Sequence, residues 1–262
     1  MPVPERIKPA FTSTRTSAPD PLEEARNRLI VALDVPGEAQ AIEMANRLES
    51  SCRWFKVGLE LFVAAGPAVL EQLADRGYSI FLDLKLHDIP NTVAGAVRSA
   101  ASLGARMITL HASGGPAMLA SARAALEGLA NPPQLLAVTV LTSMDAAQLA
   151  ATGHARSPAE QVELLARMAF EAGIHGFVCS PQEVAALRAF AGPEAVLVTP
   201  GIRPSTSQTP SRPDDQKRIA TPAQALRNGA SYLVVGRPIT QVPEPATAAA
   251  TILKEMAEAL RA

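Results

Sequence analysis

The feature that most constrains the fold is a set of eight short apolar runs, each followed by a longer Ala- and Leu-rich segment. The runs cover residues 29–33, 54–59, 79–84, 107–111, 135–141, 176–179, 195–199 and 232–235. Strand-to-helix alternation repeated eight times in about 240 residues predicts an α/β fold, a closed (β/α)8 TIM-type barrel. An open doubly wound sheet is the alternative, but no Gly-x-Gly-x-x-Gly follows the first run.

Proline-containing signals mark the starts of several predicted helices. The pattern Ser/Thr/Asp, Pro, any residue, Glu/Gln begins at Asp20, Ser157, Ser180 and Thr221. Each of the four predicts a capping box with proline at the first helical position.

Length and composition limit the number of domains and the kinds of partner. A chain of 262 residues with 48% hydrophobic content fits one large core, so we predict a single barrel domain over residues 20–262. The formal net charge of -1 gives no reason to expect nucleic acid or an anionic membrane as a partner. No apolar run approaches the roughly 18 residues of a membrane span.

The start of the chain has a distinctive composition. Residues 1–19 are rich in Pro, Ser, Thr and Arg, and we predict a disordered leader there. A transit peptide is the alternative, but the acidic residues Glu5 and Asp20 disfavour it.

The two cysteines predict the compartment. Cys52 and Cys179 have no metal-ligand spacing and lie in or beside apolar segments, which predicts packing roles, a reducing compartment and a cytoplasmic location.

The third run ends in an unusual charged cluster, within residues 81–92. Because side chains alternate along a strand, Asp83 and Lys85 are expected on one face, with Asp88 just past the strand. In a barrel of this kind, chemistry gathers where strands end. A structural ion-pair network is the alternative, as is a simple helix cap for Asp88.

Other polar residues fall at the same predicted rim. Asp34 closes the first run, Lys56 lies in the second, His111 ends the fourth and Thr142 follows the fifth. A histidine at the end of a strand is either a catalytic base or a hydrogen-bonded member of the rim, and we favour the second role for His111.

Two loops predict a phosphate site. The loops after the seventh and eighth runs carry Gly201 with Arg203, and Gly236 with Arg237. Glycine lets backbone amides approach an anion, and arginine can bind it through two parallel hydrogen bonds. We therefore expect a phosphorylated substrate. The polar, proline-rich segment between Arg203 and Arg218 is interpreted as a mobile lid, with an idle surface insertion as the alternative.

The residue types narrow the chemistry further. The sequence has no Ser-His-Asp set in a hydrolase context, no metal-spaced His pair and no cofactor fingerprint. We therefore predict a reaction that uses neither cofactor nor metal and depends on fixed charges and one proton donor.

Taken in order from about residue 28 to 245, the motifs resemble those of orotidine 5'-phosphate decarboxylases. The string Asp-x-Lys-x-x-Asp-Ile-Pro-Asn-Thr, which begins at Asp83, is the most specific of them. The other matching segments are residues 33–34, 55–58, 111–115, 138–143, 199–204 and 235–238.

The resemblance implies a homodimer that converts orotidine 5'-monophosphate to uridine 5'-monophosphate and carbon dioxide, the last step of de novo pyrimidine synthesis. It implies that Lys85 protonates the carbanion at ring carbon 6, that Asp83 faces the substrate carboxylate, and that Asp88 reaches in from the partner subunit. The implied substrate contacts are Asp34 and Lys56 at the ribose, Thr92 of the partner near the ribose, Thr142 at the pyrimidine edge, and Arg203, Gln216, Gly236 and Arg237 at the phosphate and lid. Gln208 is a second candidate for the lid contact because the segment before Gln216 is longer than the pattern.

Two other functions remain open from the sequence. A magnesium-dependent sugar-phosphate aldolase or decarboxylase of the same barrel group would need a further carboxylate near the second run, where Glu60 is the only nearby candidate. A barrel that binds a nucleotide without turnover is the third possibility, which the intact set of Asp83, Lys85 and Asp88 disfavours.

Overall fold

The computed structural model describes residues 20–205 and 218–261. The predicted leader, residues 1–19, lies outside this part of the chain, and so do both candidates for the lid contact, Gln216 and Gln208.

Eight parallel strands close into a barrel, as predicted from the eight apolar runs. Each strand pairs with the next in sequence order, and the last pairs with the first, so the open doubly wound alternative is wrong. The strands are β1 (Leu29–Ala32), β2 (Trp54–Gly58), β3 (Ser79–Leu86), β4 (Met107–His111), β5 (Gln134–Val138), β6 (Gly176–Val178), β7 (Val196–Thr199) and β8 (Tyr232–Val235).

Two strand ends differ clearly from the predicted ones. The run 135–141 ends as a strand at Val138, because the pairings of β5 with both β4 and β6 stop at that residue. By contrast, β3 continues two residues past the predicted end at residue 84, to Leu86, which pairs with Leu110 of β4.

Helices surround the barrel and connect its strands. Residues 20–205 and 218–261 contain α1 (Pro21–Arg28), α2 (Glu38–Leu48), α3 (Leu59–Ala65), α4 (Ala68–Asp75), α5 (Pro90–Ser102), α6 (Gly115–Ala124), α7 (Ala146–Ala151), α8 (Pro158–Glu171), α9 (Val184–Ala191), α10 (Pro222–Arg227), α11 (Arg237–Thr240) and α12 (Pro245–Arg261). Two single 3-10 turns, Glu49–Ser51 and Ala112–Gly114, complete the set. No helix among these residues is long and apolar enough to cross a membrane.

The four predicted capping boxes have different outcomes. At Ser157 the complete box forms, since the Ser157 hydroxyl accepts from the backbone of Glu160 and the Glu160 carboxylate accepts from the backbone of Ser157. Asp20 and Thr221 each cap a helix that begins with proline, but the reciprocal side-chain bond is absent there. The local pattern therefore located these three helix starts correctly.

The prediction at Ser180 is wrong about the start of the helix. Helix α9 begins at Val184, three residues later than the pattern places it. The Glu183 carboxylate accepts hydrogen bonds from the backbone and hydroxyl of Ser180, and it also pairs with Arg218. The carboxylate thus joins the turn before the helix to a distant, buried arginine.

The strand side chains form two apolar layers. Side chains that point outward pack against the helices in a large cluster, which includes Leu29, Val31 and Phe55. Those that point inward form a smaller cluster within the barrel, made of Ile30, Ala32, Phe81, Met107, Leu136, Val198 and Val234. Towards the carboxyl ends of the strands, polar residues replace apolar ones on the inward face, and this change creates the cavity described next.

Candidate active site

A cavity of about 570 Å³ opens at the carboxyl end of the barrel. Its apolar lining includes Ala32, Phe81, Val138, Val178 and Val234, each from a different strand. The structure brings most of the predicted site residues to this one cavity, namely Asp34, Lys56, Asp83, Lys85, Thr142, Arg203, Gly236 and Arg237. The size and the mixed lining are typical of a small-molecule site.

Four of these side chains form a row of alternating charge, which we call the charged array: Asp34, Lys56, Asp83 and Lys85. The Lys56 Nζ atom donates to Oδ1 of Asp34 over 2.8 Å and lies 3.7 Å from Oδ2 of Asp83. The Lys85 Nζ atom donates to both carboxylate oxygens of Asp83, over 2.8 and 2.9 Å. Every inner member of the array therefore contacts two opposite charges, which offsets the cost of burying it.

The outer members of the array are the accessible ones. The side chain of Asp34 is 59% exposed and that of Lys85 is 30% exposed, whereas those of Lys56 and Asp83 are each 11% exposed. A ligand in the cavity would therefore meet Asp34 at one end of the array and Lys85 at the other.

Asp83 is held as a carboxylate. Burial by itself raises the pKa of Asp83, but the charges of Lys56 and Lys85, with hydrogen bonds from Lys85 and Thr109, outweigh it and bring the pKa below the usual value. The negative charge beside Lys85 is therefore permanent at neutral pH.

Lys85 lies on an irregular part of β3. Between the pairs Leu82 with Ile108 and Leu86 with Leu110, β3 advances four residues while β4 advances two. Three residues of β3 thus lie opposite the single residue Thr109, in a special type of β-bulge. Lys85 has a φ of 51°, in the left-handed region that non-glycine residues seldom adopt. Such backbone strain is most often found at functional sites.

A glycine makes room for the charged array. A Cβ atom at Gly58 would lie 2.8 Å from Nζ of Lys56 and 3.3 Å from Oδ1 of Asp34. A side chain at this position would therefore displace the ammonium group that joins the two carboxylates.

The two arginines of the predicted phosphate site lie at the rim of the same cavity. Gly201 has a φ of 79°, which requires glycine, and its carbonyl accepts from the backbone of Ala220. The backbone of Arg203 in turn donates to the Ala220 carbonyl over 2.9 Å. Arg237 begins helix α11, directly after Gly236. The arrangement offers two guanidinium groups to an anion at this edge.

Two predicted site residues lie outside the cavity of their own chain. Asp88 and Thr92 are exposed and do not line it. The Asp88 carboxylate accepts from the backbone of Ile89 over 2.6 Å, and Ile89, which precedes helix α5, makes no side-chain cap. Within one chain, Asp88 is therefore neither part of the array nor the cap of α5.

His111 lies beside the array and lines a different cavity, of about 220 Å³. Its ring centroid is 5.5 Å from that of His87. Burial, followed by the charges of His87 and Lys85, lowers the pKa of His111. The neutral imidazole fits the role in the rim that the sequence favours.

Carboxylates near the cavity do not assemble into a recognisable metal centre. Glu60 lines the cavity, as the magnesium-dependent alternative would need. Among residues 20–205 and 218–261, however, no group of three or more His, Cys, Asp and Glu side chains is placed to hold a metal ion.

Two contributions to the site were missed from the sequence. Thr109 donates from its hydroxyl to Asp83 and accepts from the backbone of Lys85. A threonine two residues before His111 in an otherwise apolar strand was the available signal, because the two share a face. Arg218 is the second residue that was missed. It pairs with Glu183 and donates to the carbonyl of Leu141 over 3.0 Å, next to Thr142, the predicted pyrimidine contact.

Comparison with known proteins gives a consistent result. The model of the orotidine 5'-phosphate decarboxylase / HUMPS family matches residues 27–252. The orotidine 5'-phosphate decarboxylase of Chromohalobacter salexigens is 52% identical over 230 residues, which are 88% of this chain and 96% of that protein. That of Moorella thermoacetica is 50% identical over 238 residues, covering 88% and 93%. The crystal structure of the enzyme from Lactobacillus acidophilus superposes with a TM-score of 0.76 at 41% identity, covering 88% of this chain and 99% of that one.

The matched region contains the whole charged array and both arginines of the cavity rim. Sequence similarity and architecture thus agree over nearly the entire barrel. The chain belongs to the orotidine 5'-phosphate decarboxylase / HUMPS family.

Proposed function

We propose that this chain decarboxylates orotidine 5'-monophosphate to uridine 5'-monophosphate and carbon dioxide, the last step of de novo pyrimidine synthesis. The observation that carries the proposal is the charged array above an apolar cavity floor, with the Lys85 ammonium bonded to Asp83 and two arginines at the rim. The names of the relatives at about 50% identity support the same substrate.

Substrate orientation follows from the chemistry of the lining. The phosphate binds at Arg203 and Arg237, the ribose hydroxyls bind at Asp34 and Lys56, and the pyrimidine lies over the apolar floor beside Thr142. This places ring carbon 6 and its carboxylate near Lys85 and Asp83. Gln216 is proposed as the contact of the loop with the phosphate, and Gln208 remains the second candidate.

Loss of carbon dioxide leaves an electron pair on ring carbon 6, with no ordinary electron sink. The fixed ammonium of Lys85 stabilises that charge as it develops and then transfers a proton to the same carbon. The substrate carboxylate leaves as carbon dioxide, and neutral Lys85 regains its proton from solvent. No cofactor takes part in these steps.

Asp83 adds a second effect. Two carboxylates about 4 Å apart repel each other by roughly 4 kcal/mol at an effective dielectric constant near 20, and decarboxylation removes this repulsion. Enzymes lower barriers by roughly 8–23 kcal/mol in total, so this repulsion supplies only part of the effect.

We further propose a homodimer in which each active site is completed by the partner subunit. Asp88 and Thr92 carry motif positions yet lie outside the cavity of their own chain. Ile89 is 67% exposed beside them, and on the neighbouring segment after β2, Leu59 is 55% and Val63 is 81% exposed. Apolar side chains so exposed at the rim of a site support burial against a second copy.

A cytoplasmic location is also part of the proposal. Cys52 and Cys179 are both buried and form no disulfide. Burial raises the pKa of each thiol to about 12, so neither is a reactive thiolate. Such thiols are typical of a reducing compartment.

One assay tests the reaction. The purified protein is mixed with orotidine 5'-monophosphate, with and without a chelator, and the change in ultraviolet absorbance is followed. Equal turnover in both samples is expected. Activity lost with the chelator would favour the magnesium-dependent alternative, and binding of uridine 5'-monophosphate without turnover would favour the non-catalytic barrel.

A mixing experiment tests the shared site. The Lys85→Ala and Asp88→Ala variants are each expected to be inactive, but together they form heterodimers with one intact site. Random mixing then restores about one quarter of the wild-type activity, because half of the dimers are mixed and each has one active site of two. No recovery, with dimer exchange verified, would contradict the shared site.

A further inference from the structure

We propose that Thr109 is a positioning residue, whose hydroxyl holds both the backbone of Lys85 and the carboxylate of Asp83 in place. The inference deepens the proposed function, on which it rests. It starts from the bulge in β3, where a single residue of β4 lies opposite three residues of β3.

The hydroxyl of Thr109 makes two hydrogen bonds, one as acceptor and one as donor. It accepts from the backbone N–H of Lys85 over 2.9 Å and donates to Oδ1 of Asp83 over 3.0 Å. The partners fix the direction of both bonds, because a backbone N–H can only donate and an ionised carboxylate can only accept. Thr109 itself is completely buried, and water cannot replace it from bulk solvent.

The first contact replaces a missing ladder bond. In a regular parallel pair, N–H groups of one strand donate to backbone carbonyls of the next, but Lys85 lies within the register shift and is not paired with a residue of β4. The Thr109 side chain supplies the acceptor instead. A buried N–H without an acceptor is destabilising, and so is a left-handed conformation in a residue that carries a side chain. The threonine therefore stabilises the backbone conformation that the bulge imposes on Lys85.

The second contact orients Asp83. Both oxygens of this carboxylate accept from Lys85, and Oδ1 also accepts from Thr109. The ammonium and the carboxylate are thus fixed relative to β4 through one hydroxyl. Neither the apolar floor nor the arginines of the rim depend on it, so we expect Thr109 to affect the chemical step more than the binding of substrate.

The test compares three substitutions at buried hydroxyls. Thr109→Val keeps the shape and removes both hydrogen bonds, whereas Thr109→Ser keeps the hydroxyl and removes a methyl group. Thr139→Val is the matched control, since Thr139 is also buried but does not line the main cavity and makes only a 3.5 Å contact to the carbonyl of Val178. kcat and KM for orotidine 5'-monophosphate are measured with the affinity for uridine 5'-monophosphate and the melting temperature.

For Thr109→Val we expect kcat to fall about 100-fold, the loss that a misplacement near 1 Å can cause, with KM and product affinity close to wild type. Thr109→Ser should recover most of the loss, and Thr139→Val should behave as wild type. A kcat for Thr109→Val within about twofold of wild type would overturn the inference, as would equal impairment of the Val and Ser variants.

A crystal structure of the variant tests the role of Thr109 independently of the proposed reaction. If wild-type protein fails to decarboxylate the substrate, the proposed function is wrong, but the crystal structure of Thr109→Val still reports on Lys85. We expect Lys85 to leave the left-handed region or its contact with Asp83 to lengthen, and unchanged geometry overturns the positioning role. Should Thr109→Val not fold, Thr109→Ala takes its place in both measurements.

Discussion

Gly58 and Lys56 lie so close that a Cβ added to Gly58 would fall 2.8 Å from the Nζ atom of Lys56. The atom that must move is the end of a flexible side chain, so the barrel itself need not change. Absence of a side chain at this point on β2 is therefore a requirement of the charged array rather than of the fold.

Gly58→Ala should consequently reduce activity without unfolding the protein. Displacement of the Lys56 ammonium weakens its bond to Asp34, and a hydrogen bond to a charged group contributes about 1.5–3 kcal/mol, or roughly 10- to 100-fold in kcat/KM. Steady-state kinetics and thermal melting check this. The control is Gly95→Ala in α5, where the added Cβ has no neighbour closer than 3.9 Å. Equal kinetics for both variants would show that the space at Gly58 is unimportant.

Lys85→Ala should abolish turnover while leaving the fold intact. Its side chain is 30% exposed at the cavity, so truncation removes the proton donor without opening the core. Activity is measured by absorbance, and folding by circular dichroism and melting. Lys254→Ala, on the exposed face of α12, is the matched control for loss of an ammonium group. Near-normal activity of the Lys85 variant would remove this residue from its proposed role.

Arg237→Ala should weaken use of the phosphorylated substrate far more than use of the bare nucleoside. Removing a charged hydrogen-bond donor to phosphate costs about 1.5–3 kcal/mol, which corresponds to a loss in kcat/KM of roughly 10- to 100-fold for the nucleotide only. The ratio of kcat/KM for nucleotide and nucleoside is the quantity to measure. An equal loss for both substrates would contradict the phosphate assignment.

Glu183→Gln should destabilise the barrel strongly. The pair of Glu183 and Arg218 is 7% and 8% exposed, and the substitution leaves the guanidinium without its counter-charge. Breaking a buried pair on one side costs about 3–5 kcal/mol. Urea denaturation gives the loss, and the double variant Glu183→Gln, Arg218→Met should recover part of it. If Arg218→Met destabilises the Glu183→Gln variant as much as it destabilises the wild type, the two residues are not coupled.

The stability of the barrel should depend on the titration of His111. Its folded pKa is lowered by burial, while an unfolded histidine titrates near 6.5. As the pH falls below about 6.5, the unfolded chain takes up a proton that the folded protein does not, so the free energy of unfolding decreases until the folded pKa is reached. The decrease is at most about 1.4 kcal/mol per pH unit.

The His111→Asn variant should lack this dependence of the free energy of unfolding on pH. The free energy of unfolding is measured by urea denaturation between about pH 7.5 and pH 5, the range in which histidine changes charge. The variant is expected to lose less stability than the wild type over this range. Parallel curves for the two proteins would exclude His111 as a source of the pH dependence.

The barrel and the residues that line its cavity were accessible from the sequence because both depend on local patterns. Eight apolar runs separated by helical segments leave few closed arrangements, and parallel strands bring their carboxyl ends to one edge. Asp34, Lys56 and Asp83 could therefore be assigned to one rim without knowledge of any distance.

The bulge was not accessible in the same way. The alternation of apolar and charged residues predicts a regular strand through Lys85, whereas register depends on which residues of β4 pair with β3. Thr109 lies 26 residues after Asp83, and nothing local in either segment joins them. The position of the ammonium group is thus a property of two strands together.

The prediction of a helix start at Ser180 was wrong for a related reason. The pattern of Ser180 and Glu183 is that of a capping box, and both side chains do interact. The Ser180 hydroxyl donates to the Glu183 carboxylate instead of accepting from a backbone N–H, so it does not cap the helix. Arg218, 35 residues after Glu183, also pairs with the carboxylate, and the local pattern gives no sign of this tertiary contact.

The backbone bridge between Ile202 and Ala220 has a consequence for how this barrel tolerates change. Because Ile202 and Ala220 are held side by side, a change in the number of residues between them need not alter the spacing of β7 and β8. The cost of closing a longer connection grows only slowly with its length. A change of length there is therefore compatible with the barrel as long as Arg203 stays at the cavity rim and Arg218 keeps its pair with Glu183.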